Sequence, residues 1–332
     1  MGLAGETPVT RHGVARLQLQ STALRENMTI TRRVLARPRL TMQYRKALMA
    51  YLVIIPVLAF FVIWVWVPVG SVLYFSVHNW SFLNVKNTFI GLGNFIKMVN
   101  DEWFWLSVKN NIIVMAVMVG VGVPLSLMIA SGLVQLSRRA RAVFTTFYFT
   151  PVVTSVVVAA LIWGWIYDGS GAGLLNWALS FFGFRPRGWI LLPATVIPAV
   201  SVMLVWKWLG YNIVIFVAAL LDIPREMYES ARVDGANPWQ LFRHITLPLV
   251  RPAMLFVAVV TMINSFQVFA PIWVLMGRSG FKGAYVLPLM VYREGIVWQR
   301  IGYASAIALV MFIFVLALML AQFRILRTEW EY

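Results

Sequence analysis

The chain of 332 residues contains no cysteine. That absence excludes a disulfide framework, a thiolate nucleophile and a cysteine-based zinc site. Acidic side chains are also scarce: there are 12 in the whole chain, and none falls inside the long apolar runs described below. Charged residues of both signs make up 12% of the chain, about half the share in a typical soluble domain. The three histidines, His12, His78 and His244, stand too far apart in sequence to suggest a metal centre. There is no Gly-x-x-x-x-Gly-Lys-Ser/Thr loop either, so the usual cradle for a nucleotide phosphate is missing.

What is present is apolar. Hydrophobic residues account for 61% of the chain and the mean hydropathy is +0.78, more apolar surface than a soluble fold of this length can hide. Apolar runs long enough to cross a bilayer lie at 48–74, 110–134, 143–167, 192–220, 252–275 and 303–323. These runs predict an all-α integral membrane protein with about six transmembrane helices and both termini on one side. The first run is not a cleavable leader, because it begins late, exceeds the length of a leader core and lacks a small-residue cleavage site.

Charge placement orients the chain and argues against nucleic acid as a partner. The formal charge is +16, but nine of the 28 basic residues lie between Arg11 and Lys46, ahead of the first run. With the N-terminus inside, inner segments carry 18 Lys and Arg and outer segments nine, which predicts that both ends are cytoplasmic. Residues 1–47 read as a basic cytoplasmic tail, 48–74 as the first transmembrane helix and 75–107 as an extracytoplasmic segment. Residues 108–325 follow as the membrane core and 326–332 as a cytoplasmic tail. Within the core, 173–182 reads as a short amphipathic helix at the outer interface, where Trp is favoured.

The longest inner loop, 222–251, reads as two helices. Asp222 is expected to cap the first, with Pro224 in its first turn, and Gly235 to stop it in a left-handed conformation. Asn237 and Pro238 are expected to start a second helix that runs until Pro248. Met227, Tyr228, Val233, Trp239, Leu241 and Phe242 give this loop more apolar surface than solvation requires. Two readings fit: docking into a groove on another protein, or packing on the loop's own bundle.

The loop contains Glu229-Ser230-Ala231, then Gly235, then Ile245-Thr246-Leu247-Pro248. This resembles the signature of the permease subunits of binding-protein-dependent ABC importers: Glu-Ala-Ala, three residues, Gly, nine residues, Ile-x-Leu-Pro. Only Ser230 departs, a small-for-small change. The resemblance implies the ABC-importer permease (MetI-like) fold, with the loop as a coupling helix seated in a separate ATPase subunit. Glu226, Glu229, Ser230, Ala231, Asp234, Gly235, Ile245, Leu247 and Pro248 would then form the coupling element. It further implies a second homologous permease, a pair of ATPase subunits holding ATP and Mg, and an extracytoplasmic solute-binding protein. The setting would be a bacterial plasma (inner) membrane, with no cofactor on this chain and no enzymatic activity of its own.

Further segments look like the sugar-importer branch, the maltose and glycerol-phosphate type. These are Ile223–Glu229, Asp234–Ala236, Trp206–Gly210 and Phe266–Phe269, and the similarity covers roughly residues 48–325. Ala270 and the loop 276–280 depart from that branch. In the fifth run Thr261, Asn264, Ser265 and Val268 follow helical spacing and are expected to share one face. Their polar groups suit the hydroxyls of a carbohydrate, or alternatively helix–helix hydrogen bonds. In the fourth run Trp206, Leu209, Gly210 and Asn212 complete the candidate pathway, with rings to stack on a sugar and a bend expected at Gly210. Lys207, costly inside a span, suggests an anionic sugar or glycerol-phosphate-type solute as the alternative cargo. Thr154 and Ser155, beside Pro151 in the third run, are weaker pathway candidates.

Two rival classes are weighed. A secondary carrier would use inverted repeats and embedded ionisable groups, and neither an intramembrane carboxylate nor an internal repeat is present. A membrane-embedded enzyme needs acid–base or nucleophilic groups gathered at one depth, and no such gathering is evident. If Asn264 faces the pathway, Asn264→Leu is expected to weaken solute-stimulated uptake while leaving assembly with the ATPase intact. Uptake kinetics equal to the parent's would remove Asn264 from the pathway.

Overall fold

The computed structural model describes residues 44, 46–83, 87–276 and 282–326. The basic tail to residue 43, the stretch 277–281 of the departing outer loop and residues 327–332 lie outside the described residues. The chain divides after Gly70 into two units. The first consists of most of helix α1 (Lys46–Ser76), which is long and apolar enough to cross a membrane. Its side chains are exposed from Lys46 to Gly70 and apolar all round, as suits a helix solvated by lipid.

The second unit begins at Ser71. A two-residue hairpin, β1 (His78–Asn79) against β2 (Thr88–Phe89), leads to α2 (Gly93–Val99). Asp101 then caps α3 (Glu102–Leu133), its carboxylate accepting from the Trp103 amide at 2.9 Å. The third span is a broken pair, α4 (Arg138–Val153) and α5 (Val156–Ile166), bent by 98°. After α6 (Leu174–Ser180) come α7 (Val196–Leu221), α8 (Arg225–Val233) and α9 (Pro238–Phe266). The chain closes with α10 (Ala270–Met276), a 3-10 turn Lys282–Ala284, α11 (Leu287–Tyr292) and α12 (Ile301–Leu326). Counting the broken pair as one, this gives the six spans read from the hydropathy.

Helix α7 is the hub, with 14 of its 26 residues buried. On one end its Val200, Met203 and Leu204 pack with Val114, Met118 and Ile272. On the other, Ile213 and Phe216 pack with Val123, Leu127, Val250 and Val257. A third cluster joins Phe104, Met262, Phe266 and Met290 to Ile307 of α12. Gly210 lets α7 approach α4 closely: a Cβ there would collide with the Tyr148 carbonyl and come within 2.8 Å of the Phe149 Cα. Helix α7 runs unbroken through Gly210. The glycine serves helix contact.

Three of the prolines in the spans follow a wider turn. Pro68, Pro124 and Pro248 each stand two residues beyond a π-helical turn, at Val62–Trp66, Met118–Gly122 and Phe242–Thr246. A wider turn moves aside the carbonyl that the proline ring would strike and the missing N–H would leave unpaired. The second loop helix therefore does not stop at Pro248 but runs on as the fifth span to Phe266. Pro151 has no such turn before it, and α4 ends within three residues.

Beyond α9, residues 270–276 and 282–297 pack against the spans, and amides on α3 hold residues 283–287. Asn110 donates to the carbonyls of Gly283 (3.1 Å) and Tyr285 (2.7 Å). Asn111 donates to the Ser265 carbonyl (3.3 Å) and accepts from the Leu287 amide (2.8 Å). Both are buried. Asn111→Ala is expected to cost about 1–3 kcal/mol, because buried backbone groups lose their partners. The exposed Asn100→Ala should cost a few tenths. Thermal unfolding of the purified protein in detergent checks the contrast, and equal melting points would refute it.

Candidate functional site

The elbow between α7 and α9 is the first candidate. Asp222 is the C-terminal cap of α7, its amide bonding the Ala218 carbonyl, and not the N-cap expected from sequence. Pro224 occupies that position instead, with Glu226 in the first turn of α8, where a carboxylate meets the helix dipole favourably. Gly235 has φ +81°, and the chain reverses there: the Gly235 amide bonds Arg232 and the Ala236 amide bonds Ala231. Asn237 and Gln240 then form a reciprocal capping box at the start of α9.

This geometry sorts the motif residues into two sets. Glu226, Glu229, Ser230, Asp234 and Gly235 are exposed on the tip, with Ala231 half-buried beside them. Ile245, Leu247 and Pro248 are half-buried at the base, where Ile245 and Leu247 join Phe242 and Tyr228 against buried Val250. The Tyr228 hydroxyl meets the Thr246 hydroxyl at 2.9 Å, tying α8 to α9. In sequence Tyr228 reads only as apolar surface, and no local spacing signals a bond to a residue 18 positions away. Three apolar side chains remain exposed at the tip: Met227, Trp239 and, most of all, Val233 at 87%. The helix thus stands out on a fixed base with apolar side chains uncovered, the form of an amphipathic helix that can dock into a groove.

The second candidate is the region around the middle of α7. Thr261 and Ser265 are buried, Asn264 is half-buried, and Asn212 donates to the Thr261 hydroxyl at 3.5 Å. The Ser265 hydroxyl bonds its own helix at the Met262 carbonyl (2.6 Å). Val268 lies past the end of α9 and packs in the core with Ile272, so it does not continue the face of Thr261 and Asn264. Trp206 and Leu209 are half-buried, and the Trp206 ring meets Trp163 edge-on at 5.6 Å. Asn212, Thr261 and Asn264 are thus neighbours across α7 and α9, whereas Gly210 faces α4.

Lys207 is 4% exposed, and its ammonium is already occupied. It donates to the carbonyls of Thr154 (2.6 Å), Pro151 (3.1 Å) and Val152 (3.5 Å), the end of α4 at the break. Helix termini leave carbonyls unpaired, and a cation there also meets the negative end of the helix dipole. On the far side of the break, the Ser155 hydroxyl accepts from the Val157 amide at 3.3 Å and caps α5. Thr154 bonds back to the Thr150 carbonyl.

The end opposite the elbow is tied by charge. The Tyr303 hydroxyl donates to Asp101 at 2.6 Å, Lys97 sits 4.2 Å over the Tyr303 ring, and Arg300 reaches Glu294 at 3.5 Å. Burial pushes the Glu294 carboxyl up, opposed by Arg300 and Lys97. Helix α6 forms within the segment expected at the interface, with Trp177 and Phe181 exposed. Buried Asn176 fastens the surrounding loop through Asp168, Ser170, Arg187 and Trp189. Among the described residues no three His, Asp or Glu side chains converge to hold a metal ion.

The family described as binding-protein-dependent transport system inner membrane component matches residues 122–328. The sn-glycerol-3-phosphate transport system permease protein UgpA of Yersinia pseudotuberculosis is 30% identical, over 85% of this chain and 95% of its own. The arabinooligosaccharides transport system permease protein AraP of Bacillus subtilis is 29% identical, over 85% of this chain and 90% of its own. In fold, the chain matches one from the crystal structure of a bacterial ABC transporter involved in the import of the acidic polysaccharide alginate. That likeness has a TM-score of 0.76 at 24% identity and covers 88% of this chain and 100% of the other.

Gly235 has open space where a Cβ would go, so only its positive φ resists substitution. Gly235→Val is expected to destabilise the elbow by about 1–2 kcal/mol, and Gly235→Asn by less, since Asn tolerates the left-handed region. Amide exchange across 230–240 checks this; equal exchange in both variants would show that the turn does not depend on Gly235.

Proposed function

We propose a function from one premise: this chain belongs to the family of binding-protein-dependent transport system inner membrane components. In this reading it is a transmembrane permease subunit of an ATP-driven ABC importer. Together with a second, homologous permease it forms the path for a carbohydrate, an oligosaccharide or sugar derivative delivered by an extracytoplasmic solute-binding protein. Both termini and the α8 elbow lie in the cytoplasm, where a pair of ATPase subunits binds ATP and Mg and performs the hydrolysis. The chain itself is then a conduit and a lever, not an enzyme.

The observation that carries the proposal is the elbow. Glu226, Glu229, Ser230, Ala231, Asp234 and Gly235 form a tip free to enter a cleft on an ATPase subunit. Ile245, Leu247 and Pro248 supply the footing that passes a push on the tip into α9. Because Asp222 ends α7 and Arg225 starts α8, the same push also enters α7. The spans then rock about the solute, alternating access between the two sides of the membrane.

Within the membrane, the candidate contacts for a hydroxylated solute are Trp206, Leu209, Asn212, Thr261, Asn264 and Ser265, which supply a ring, amides and hydroxyls. Gly210 and Val268 support the path from behind rather than touching the solute. An anionic cargo finds less support, since the buried cation on α7 is engaged by three carbonyls.

A chain without native cysteine makes the test direct. A single Ala231→Cys, assembled in native membranes with its partners, is expected to crosslink to an ATPase subunit through a short bifunctional reagent. Crosslinks only to lipid or within the same polypeptide would overturn the coupling assignment, and ion-driven uptake by this chain alone would overturn the ABC reading.

A further inference from the structure

Lys207 stands near the middle of α7, a single unbroken helix that ends at Leu221 and passes through three residues into the elbow helix α8. Fourteen residues separate Lys207 from Leu221, about 21 Å of helix at the α-helical rise. At Lys207 the ammonium holds the carbonyl end of α4; one turn further along, Gly210 brings the backbones of α7 and α4 into direct contact. The 98° break at Thr154–Ser155 therefore has one half-helix fixed to α7 at two adjacent points.

In hydrocarbon an unpaired carbonyl costs several kcal/mol, so these bonds hold the geometry of the break as well as covering it. The other half-helix, α5, packs on α7 through Ala160 and carries its own cap from Ser155. Any displacement of α7 along or about its axis acts on the end of α4 through these bonds, and the two non-helical residues let α4 and α5 respond differently.

We infer that Lys207 is a positioning residue, the fastener through which movement of the elbow reaches the break in the third span. The inference rests on the importer reading. It assigns the buried cation to coupling rather than to solute binding, and the two roles differ in what they predict. A fastener acts on the maximal rate of transport; a solute ligand acts on the concentration needed for half-maximal uptake.

The experiment uses the full transporter in proteoliposomes with its ATPase subunits and solute-binding protein. Lys207→Arg, Lys207→Gln and Lys207→Met keep the charge, keep a donor only, and remove both. A nitroxide is placed at Val153→Cys, an exposed position beside the break. Maximal uptake is expected to fall in the order Arg, Gln, Met, reaching about tenfold below the parent for Met, with the half-saturating solute concentration within about twofold of the parent's. The nitroxide spectrum is expected to differ between nucleotide-free and ATP-trapped states in the parent, and to lose that difference in Lys207→Met.

Parental uptake by Lys207→Met would overturn the fastener, as would a shifted half-saturation with the nitroxide response intact. Should Lys207→Met fail to assemble, the comparison of Arg with Gln decides: Arg transporting no better than Gln overturns it. Absence of any ATP-driven uptake in the parent would instead overturn the importer reading itself, and the fastener with it.

Discussion

The interaction on which the rest of this structure depends is the hydrogen bond that a backbone group must find when its helix is interrupted inside a bilayer. Water is absent there, so each interruption has to carry its own partner. At the break in the third span the partners are Lys207 and Ser155, from two different helices. Beyond α9, Asn111 bonds Ser265 near the end of that helix and Leu287 at the start of α11, and Asn110 holds the carbonyls of Gly283 and Tyr285. At Pro68, Pro124 and Pro248 a π turn lets the helix absorb the proline without breaking.

The same constraint accounts for the rigidity that the proposed mechanism needs. A lever must not bend between the point where it is pushed and the point where it acts. Helix α7 meets that requirement: it is buried on more than half of its residues, its one central glycine is pressed against α4, and its one charge is tied to the broken neighbour. The elbow meets it in another way, with Tyr228 and Thr246 bonding its two helices and the Asn237–Gln240 box fixing where the second one starts. The uncovered surface is confined to the tip, where the side chains of the motif stand beside exposed Met227, Val233 and Trp239.

The polar side chains within the spans divide accordingly. Those with two or more backbone partners, Asn110, Asn111 and Lys207, belong to the architecture. Asn212, Thr261 and Asn264 are less fully engaged and lie together between α7 and α9, the arrangement that suits a hydroxylated solute.

By itself the sequence determined the number of spans, because hydropathy over some 20 residues is a local property that lipid reads directly. It also determined the elbow and its turn: the Gly235 reversal and the Asn237 start depend on residues within a few positions of each other. Only the structure decided where a proline ends a helix: α4 stops just after Pro151, whereas α9 runs on through both Pro248 and Pro252. It alone decided the partner of Lys207, which lies 53 residues or more away along the chain, and that Gly210 faces a helix and not a cavity. Those outcomes depend on which helix stands beside which, and no spacing along one segment carries that information.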